Sequence, residues 1–273
     1  LHLKTHQPSY KVAAKWTSRD RYSSVHKDNR DFWCTVCVNI QSRMLRQQRR
    51  SVMERTNVTC FLLVMFCTGI VAAPCSTTVS REWLVRDTAS ATALAEAVNC
   101  TGGTFNVEWS GSVVVAHEIY IADGTSVRVT GADSEARMDG GEETRLFTVV
   151  NASLEVSNMQ IGNGHANVGG AIASNGSSLS FDQTSFIGNI AIDSGGALHV
   201  VNNSTVFGGG LTAFVNNTAG YTGGAMDVSE NSSVSWEAET SFLDNTADYG
   251  GAVCVSGGSS VSWEAETSFS GNN

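Results

Sequence analysis

Between Ser233 and Ser256 the chain alternates apolar and small polar residues in three short runs. Val234 and Trp236 alternate with serines, Thr240 and Phe242 flank Ser241, and Val253 and Val255 flank Cys254. A period of two, rich in β-branched and aromatic residues, predicts strands. No run has helical spacing, and no Leu-x-x-Leu-x-Leu pattern supports a leucine-rich repeat. The same runs recur along the chain. Phe-x-x-Asn occurs at Phe186 to Asn189, Phe214 to Asn217, Phe242 to Asn245 and Phe269 to Asn272, with steps of 28, 28 and 27. Between these copies stands Gly-Gly-Ala-aliphatic, starting at Gly169, Gly195, Gly223 and Gly250, with steps of 26, 28 and 27. The blocks Ser232 to Phe242 and Ser259 to Phe269 are identical.

A fixed period of this size marks a solenoid whose units bury their cores only by stacking on neighbours. Three short strands per turn predict a parallel β-helix, triangular in section. Equivalent residues then lie about 4.8 Å apart in successive coils. Phe186, Phe214, Phe242 and Phe269 form an internal aromatic stack. Asn189, Asn217, Asn245 and Asn272 form an amide ladder at a turn. Asn163 lies six residues before Gly169, as Asn189 lies six before Gly195, which extends that ladder to Asn163 and puts Gln160 at the Phe position of a degenerate first unit. The pairs Gly195-Gly196, Gly223-Gly224 and Gly250-Gly251 take corners that require left-handed backbone.

These two motifs, alternating over about 159–273, resemble the repeats of polymorphic outer-membrane proteins, the chlamydial surface adhesins. More broadly they are similar to the pectin-lyase-like superfamily. The resemblance implies an all-β fold, a right-handed single-stranded parallel β-helix. Adhesins of that kind carry a C-terminal autotransporter barrel, and no barrel pattern is read in residues 1–273. Similar repeats occur in secreted proteins of algae and other protists, which this chain resembles more.

Upstream the pattern changes. Residues 104–158 read as less regular coils, with strands at Val113 to Val115, Ile119 to Ile121, Val127 to Val129, Phe147 to Val150 and Leu154 to Val156. No proline follows Pro74, which suits sheets that need every N–H. Residues 76–103 read as an N-terminal cap. Within it Asp87 can cap a helix whose Leu94, Ala97 and Val98 share one face, covering the open end of the β-helix before its first strands. Residues 53–75 read as a secretory signal peptide: Arg49, Arg50 and Arg55 precede the apolar run Phe61 to Ala73, which is short for a membrane span. An uncleaved signal anchor is the alternative. Residues 1–52 open on Leu1 and carry eleven Lys and Arg against three Asp, a net +8 within a chain of net −9. They read as a disordered or non-native leader, and Cys34-Thr35-Val36-Cys37 lacks the second pair of a metal site. The chain stops in mid-repeat at Asn273, so the solenoid is expected to continue, and membrane attachment is expected only through an anchor outside this sequence.

Charge then narrows the function. After Arg145 there is no Lys or Arg, while eleven Asp and Glu follow. Nucleic acid and other polyanions are repelled by such a surface. The superfamily that the repeats resemble includes enzymes acting on acidic polysaccharides through clustered Asp with Ca²⁺ and a basic residue, or through paired Asp, and neither set is visible. Gly164-His165 resembles a hydrolase motif without its aspartates, so His165 reads as a turn residue. Four residues after the first glycine of each pair, Ala173, His199, Asp227 and Cys254 form a row on the outer side of the third run. His199 and Asp227 are the only catalytic candidates, and the row reads as solvent surface. Glu237, Glu239, Glu264 and Glu266 stack as like charges, at a solvated corner or around Ca²⁺; otherwise no metal or cofactor is expected. Sequons at Asn99, Asn151, Asn175, Asn202, Asn203, Asn216 and Asn231 mark glycosylation sites in a eukaryotic secretory pathway, with Asn216 close to the wall. Cys75 and Cys100 form the one plausible disulfide. The leading expectation is an extracellular or cell-surface scaffold, in the outer membrane if bacterial. It is adhesin-like or part of a cell wall, without catalysis, and meets a glycan or protein ligand. The alternative is a carbohydrate-active enzyme: a lyase, hydrolase or epimerase. Expressed from Met53, the chain is expected to be exported with residues up to about 73–75 removed. Mass spectrometry of the exported protein checks this, and retention of residues 1–52 rules it out.

Overall fold

The computed structural model describes residues 80–99 and 103–273. The basic leader, Cys34 and Cys37, the signal segment and the Cys75–Cys100 disulfide lie outside the described residues. What is described is all-β apart from one short helix, coiled into a parallel solenoid of about seven turns. Every strand pairing is parallel.

One coil shows how the sequence builds it. Thr205–Gly208 and Thr212–Val215 lie in the first sheet, Thr218–Ala219 in the third and Met226–Val228 in the second. In earlier coils the first two strands are one: Ser178–Ile187 pairs with both Thr205–Gly208 and Thr212–Val215. Two of the three strands expected per turn are thus halves of a single thirteen-stranded sheet. The third side, of only three strands, continues through isolated bridges at Thr246 and Tyr249.

The phenylalanine column stacks as its spacing requires. Ring centroids are 4.9 Å apart from Phe186 to Phe214, 4.9 Å from Phe214 to Phe242 and 4.8 Å from Phe242 to Phe269, all nearly parallel. Phe186, Phe214 and Phe242 are fully buried. Phe269 is 52% exposed, because no coil within the chain covers its outer face. Beside the rings runs the amide ladder. Asn189, Asn217 and Asn245 each donate from Nδ2 to the next asparagine's Oδ1, at 2.9, 3.0 and 2.9 Å. The same Oδ1 atoms accept the backbone N–H of the preceding asparagine, all at 3.0 Å.

Two sequence-based placements shift by one residue. Phe186 pairs with Ile161, not Gln160, so the first unit keeps an apolar residue in the column. The ladder position is Gly164, whose N–H donates to Asn189 Oδ1 at 2.9 Å. Asn163 instead gives its Nδ2 to the Asp139 carboxylate at 3.0 and 3.1 Å. The cause is a bulge: Ala191 pairs with Ala166 but Ser194 with Val168, so the later coil holds one extra residue. Counting back from the glycines across that bulge misses by one.

The glycine pairs divide their work. Gly195, Gly223 and Gly250 have φ of +67°, +62° and +63°. Gly196 and Gly224 instead lie so close to the next coil that a Cβ would meet a glycine carbonyl oxygen at 2.0 Å. Further upstream, the helix runs over Thr88–Val98 with Asp87 as N-cap. Its buried face is Ala91, Leu94, Ala95 and Val98; Ala97 lies beside that face, not on it. A strand, Ser80–Val85, comes before the helix and edges the first sheet, so the helix does not precede the first strand. The helix packs on that strand and on Ile119–Ala122, the terminal strand of the second sheet. All five expected strands of the irregular coils are present; Gly103–Trp109 and Arg137–Asp139 were not expected.

Phe214→Ala should cost about 3–5 kcal/mol, as large core truncations do. Asn217→Ala strips the acceptor from two buried donors on Asn189, at about 1–3 kcal/mol each. Chemical denaturation of the two variants against wild type checks both.

Candidate functional site

The outer row of the second sheet brings together the catalytic candidates. Cα register places Tyr120, Thr148, Ala173, His199, Asp227 and Cys254 side by side on successive coils. The row alternates with buried Leu198, Val200, Met226 and Val228, so it faces away from the core. It is not solvent surface throughout: Tyr120 is exposed, while Thr148, Ala173, His199 and Cys254 are half-buried. Asp227 is only 5% exposed, because the left-handed corner at Gly223 folds the third sheet back over it. Thr222 Oγ1 lies 2.9 Å from Asp227 Oδ1 and 2.8 Å from Ser194 Oγ. A carboxylate only accepts, so Thr222 donates to Asp227 and takes the Ser194 proton. The two outer faces therefore close into a crease at Ser194, Thr222 and Asp227.

His199 Nδ1 is 3.3 Å from Asp227 Oδ2 but lacks the alignment of a hydrogen bond. On the other side of Asp227 stands Cys254. Burial, then the Asp227 charge and its acceptance of the thiol proton, push Cys254 above its ordinary pKa. The order matters. A working Cys–His pair places the imidazole against the sulfur to stabilise thiolate. Here the carboxylate separates them and holds the thiol protonated.

A residue outside the row reaches it through Thr148. Arg145, the last cation, donates from Nη1 to Thr148 Oγ1 at 2.8 Å and lies 3.6 Å from Glu118; Thr148 Oγ1 also donates to Glu118. Thr148 stands two coils from His199, with only Ala173 between. Arg145 therefore belongs to the same face, although a division of the chain by charge sets it one residue outside. The signal available was its place three residues before Thr148.

The other candidates scatter. His165 opens the strand His165–Val168, not a turn, with Nδ1 3.1 Å from the Glu142 carbonyl oxygen. Glu237, Glu239, Glu264 and Glu266 are all exposed. Among the described residues no three His, Cys, Asp or Glu side chains group to hold a metal ion. All seven sequon asparagines are exposed, Asn216 included. Asn151, Asn202, Asn203, Asn216 and Asn231 occupy left-handed turns. Asn202 Nδ2 donates to Asn175 Oδ1 at 3.1 Å.

Asp227→Asn should lower the Cys254 pKa, since it removes the negative charge that disfavours thiolate. Alkylation at Cys254 near pH 8.5 should then quicken, while His199→Ala leaves it nearly unchanged. Peptide mass spectrometry of iodoacetamide-treated protein checks this, and an unchanged rate in Asp227→Asn breaks the assignment. Comparison of the chain with protein-family models, with curated proteins and with solved structures finds no match.

Proposed function

We propose that this protein is a secreted or surface-displayed scaffold, a right-handed β-helix of the polymorphic outer-membrane protein repeat kind. It is adhesin-like or part of a cell wall. It acts by binding a glycan or protein ligand and not by catalysis. One observation carries the reading: the single His–carboxylate pair of the outer row has no nucleophile to serve. Asp227 is engaged by Thr222 and Cys254, and the thiol is held protonated. The stacked coils otherwise present a long polar wall with exposed sequons, as a glycosylated display surface would. Export through the residues 53–75 signal and glycosylation at those sequons complete the proposal.

A second reading has one observation in its favour. Arg145 bonds to Thr148 on the row of His199 and Asp227, and an enzyme acting on a polyanion needs such a positive group where charge develops. Arg145 is already engaged by Glu118 and Thr148, however. No depolymerisation or epimerisation of pectate, alginate or neutral glycans is expected, with or without Ca²⁺. Activity that disappears in His199→Ala, Asp227→Ala or Arg145→Ala would establish the enzyme instead.

A further inference from the structure

The third sheet turns an aromatic and apolar face to solvent. Ile192 is 63% exposed, Tyr221 53% and Tyr249 60%. The Tyr221 and Tyr249 rings meet edge to face, with centroids 5.2 Å apart. Ile192 lies within the bulge between Ala191 and Ser194, and Gly220 packs close on its backbone: a Cβ there would come within 2.1 Å of the Ile192 carbonyl oxygen.

Two carboxylates flank Tyr221 in register, with Tyr249 in the adjacent column. Ser194 pairs with Thr222 and Thr222 with Tyr249, so Asp193, Tyr221 and Asp248 stand in one column on successive coils. The Tyr221 N–H, at 2.8 Å from the Asp193 carbonyl oxygen, fixes that register. Column neighbours are about 4.8 Å apart. Both aspartates are exposed, and among the described residues neither has an ion-pair partner. A ring face attracts cations through its quadrupole, and carboxylates do so through charge.

We propose that this face docks a basic segment of a partner protein, with an Arg or Lys side chain against the Tyr221–Tyr249 pair between Asp193 and Asp248. The proposal rests on the scaffold reading above. Charge complementarity selects the occupant. The chain from residue 146 to its end offers acids and no Lys or Arg, which repels an acidic ligand. A neutral sugar would use the rings and offer the carboxylates hydroxyl donors, but no opposing charge. A guanidinium meets the rings with its plane and the carboxylates with its N–H groups. Ile192 beside the rings suits the apolar stem of such a side chain.

Calorimetric titration of the full chain with a short arginine-rich peptide tests this, beside a serine–glycine peptide and a neutral oligosaccharide. The arginine-rich peptide alone should bind, less tightly as salt rises. Tyr221→Ala or Tyr249→Ala should weaken it about two- to five-fold each. Asp193→Asn with Asp248→Asn should weaken it further and flatten the salt dependence. Tyr221→Phe should keep the affinity. The aspartate variants and Tyr221→Phe keep the test valid if an alanine variant fails to fold, which a circular dichroism melt shows. Absence of peptide binding, or binding indifferent to all four positions, overturns the proposal and leaves the scaffold reading standing. Oligosaccharide binding lost with the tyrosines and indifferent to the aspartates also overturns it, by replacing the occupant. Cleavage of the oligosaccharide would bring down the scaffold reading itself.

Discussion

Each regular coil buries a polar amide that only its neighbours can satisfy. Asn189, Asn217 and Asn245 are fully buried, and each gives its second Nδ2 proton to a carbonyl oxygen of the preceding coil, at Ile161, Phe186 and Phe214. An orphaned buried donor costs about 1–3 kcal/mol, so a coil that slips one residue loses several contacts at once. The ladder therefore enforces register, and the flat phenylalanine stack reports it: rings stay within 3–6° of parallel even where the step falls from 28 to 27 residues. Area burial alone tolerates sliding, whereas a buried amide column does not.

The repeat was legible because its largest and most polar side chains recur at near-constant steps. What escaped was carried by small residues or by coil-length changes. Ser177, Ser204, Ser232 and Ser259 form a second ladder, each Oγ accepting an N–H of the preceding coil at 3.0–3.2 Å. Serine is so common here that this column is lost in the composition, and inside Asn175-Gly176-Ser177 and Asn202-Asn203-Ser204 it reads only as a sequon. Gly208 carries no motif, yet a Cβ there would come 1.8 Å from the Trp236 ring that fills the core beside it. Ile161 was mistaken for Gln160 because a bulge is invisible to counting. Ser80–Val85 was missed because its periodicity is brief and lies ahead of the capped helix.

The same limits govern the site. The register of His199, Asp227 and Cys254 followed from the glycine motif, and the structure keeps it. Their burial did not follow, since alternation tells which side of a strand a residue faces and nothing of what folds against that side. The Thr222–Asp227 bond spans five residues across a corner. Its cause is backbone geometry at Gly223, which a one-dimensional pattern marks as a turn without giving its angle.

That angle decides where this solenoid can meet other molecules. Stacking needs a left-handed first glycine and a second glycine with no room for a side chain. The corner so formed folds the outer face of the second sheet against the end of the third. Groups placed there, however suggestive their chemistry, become partners for one another before they become partners for a ligand: Ser194 with Thr222, Thr222 with Asp227, Asp227 with Cys254. Opening the crease would require replacing the corner, and with it the contacts by which each coil holds the next. Residues a few positions earlier on the third sheet escape this constraint. Ile192 and Tyr221 precede the corner, and Tyr249, at the Thr222 position of its own coil, still turns its ring to solvent; the bonds between these coils are made by backbone. The regularity that closes one outer face thus leaves the other free to vary.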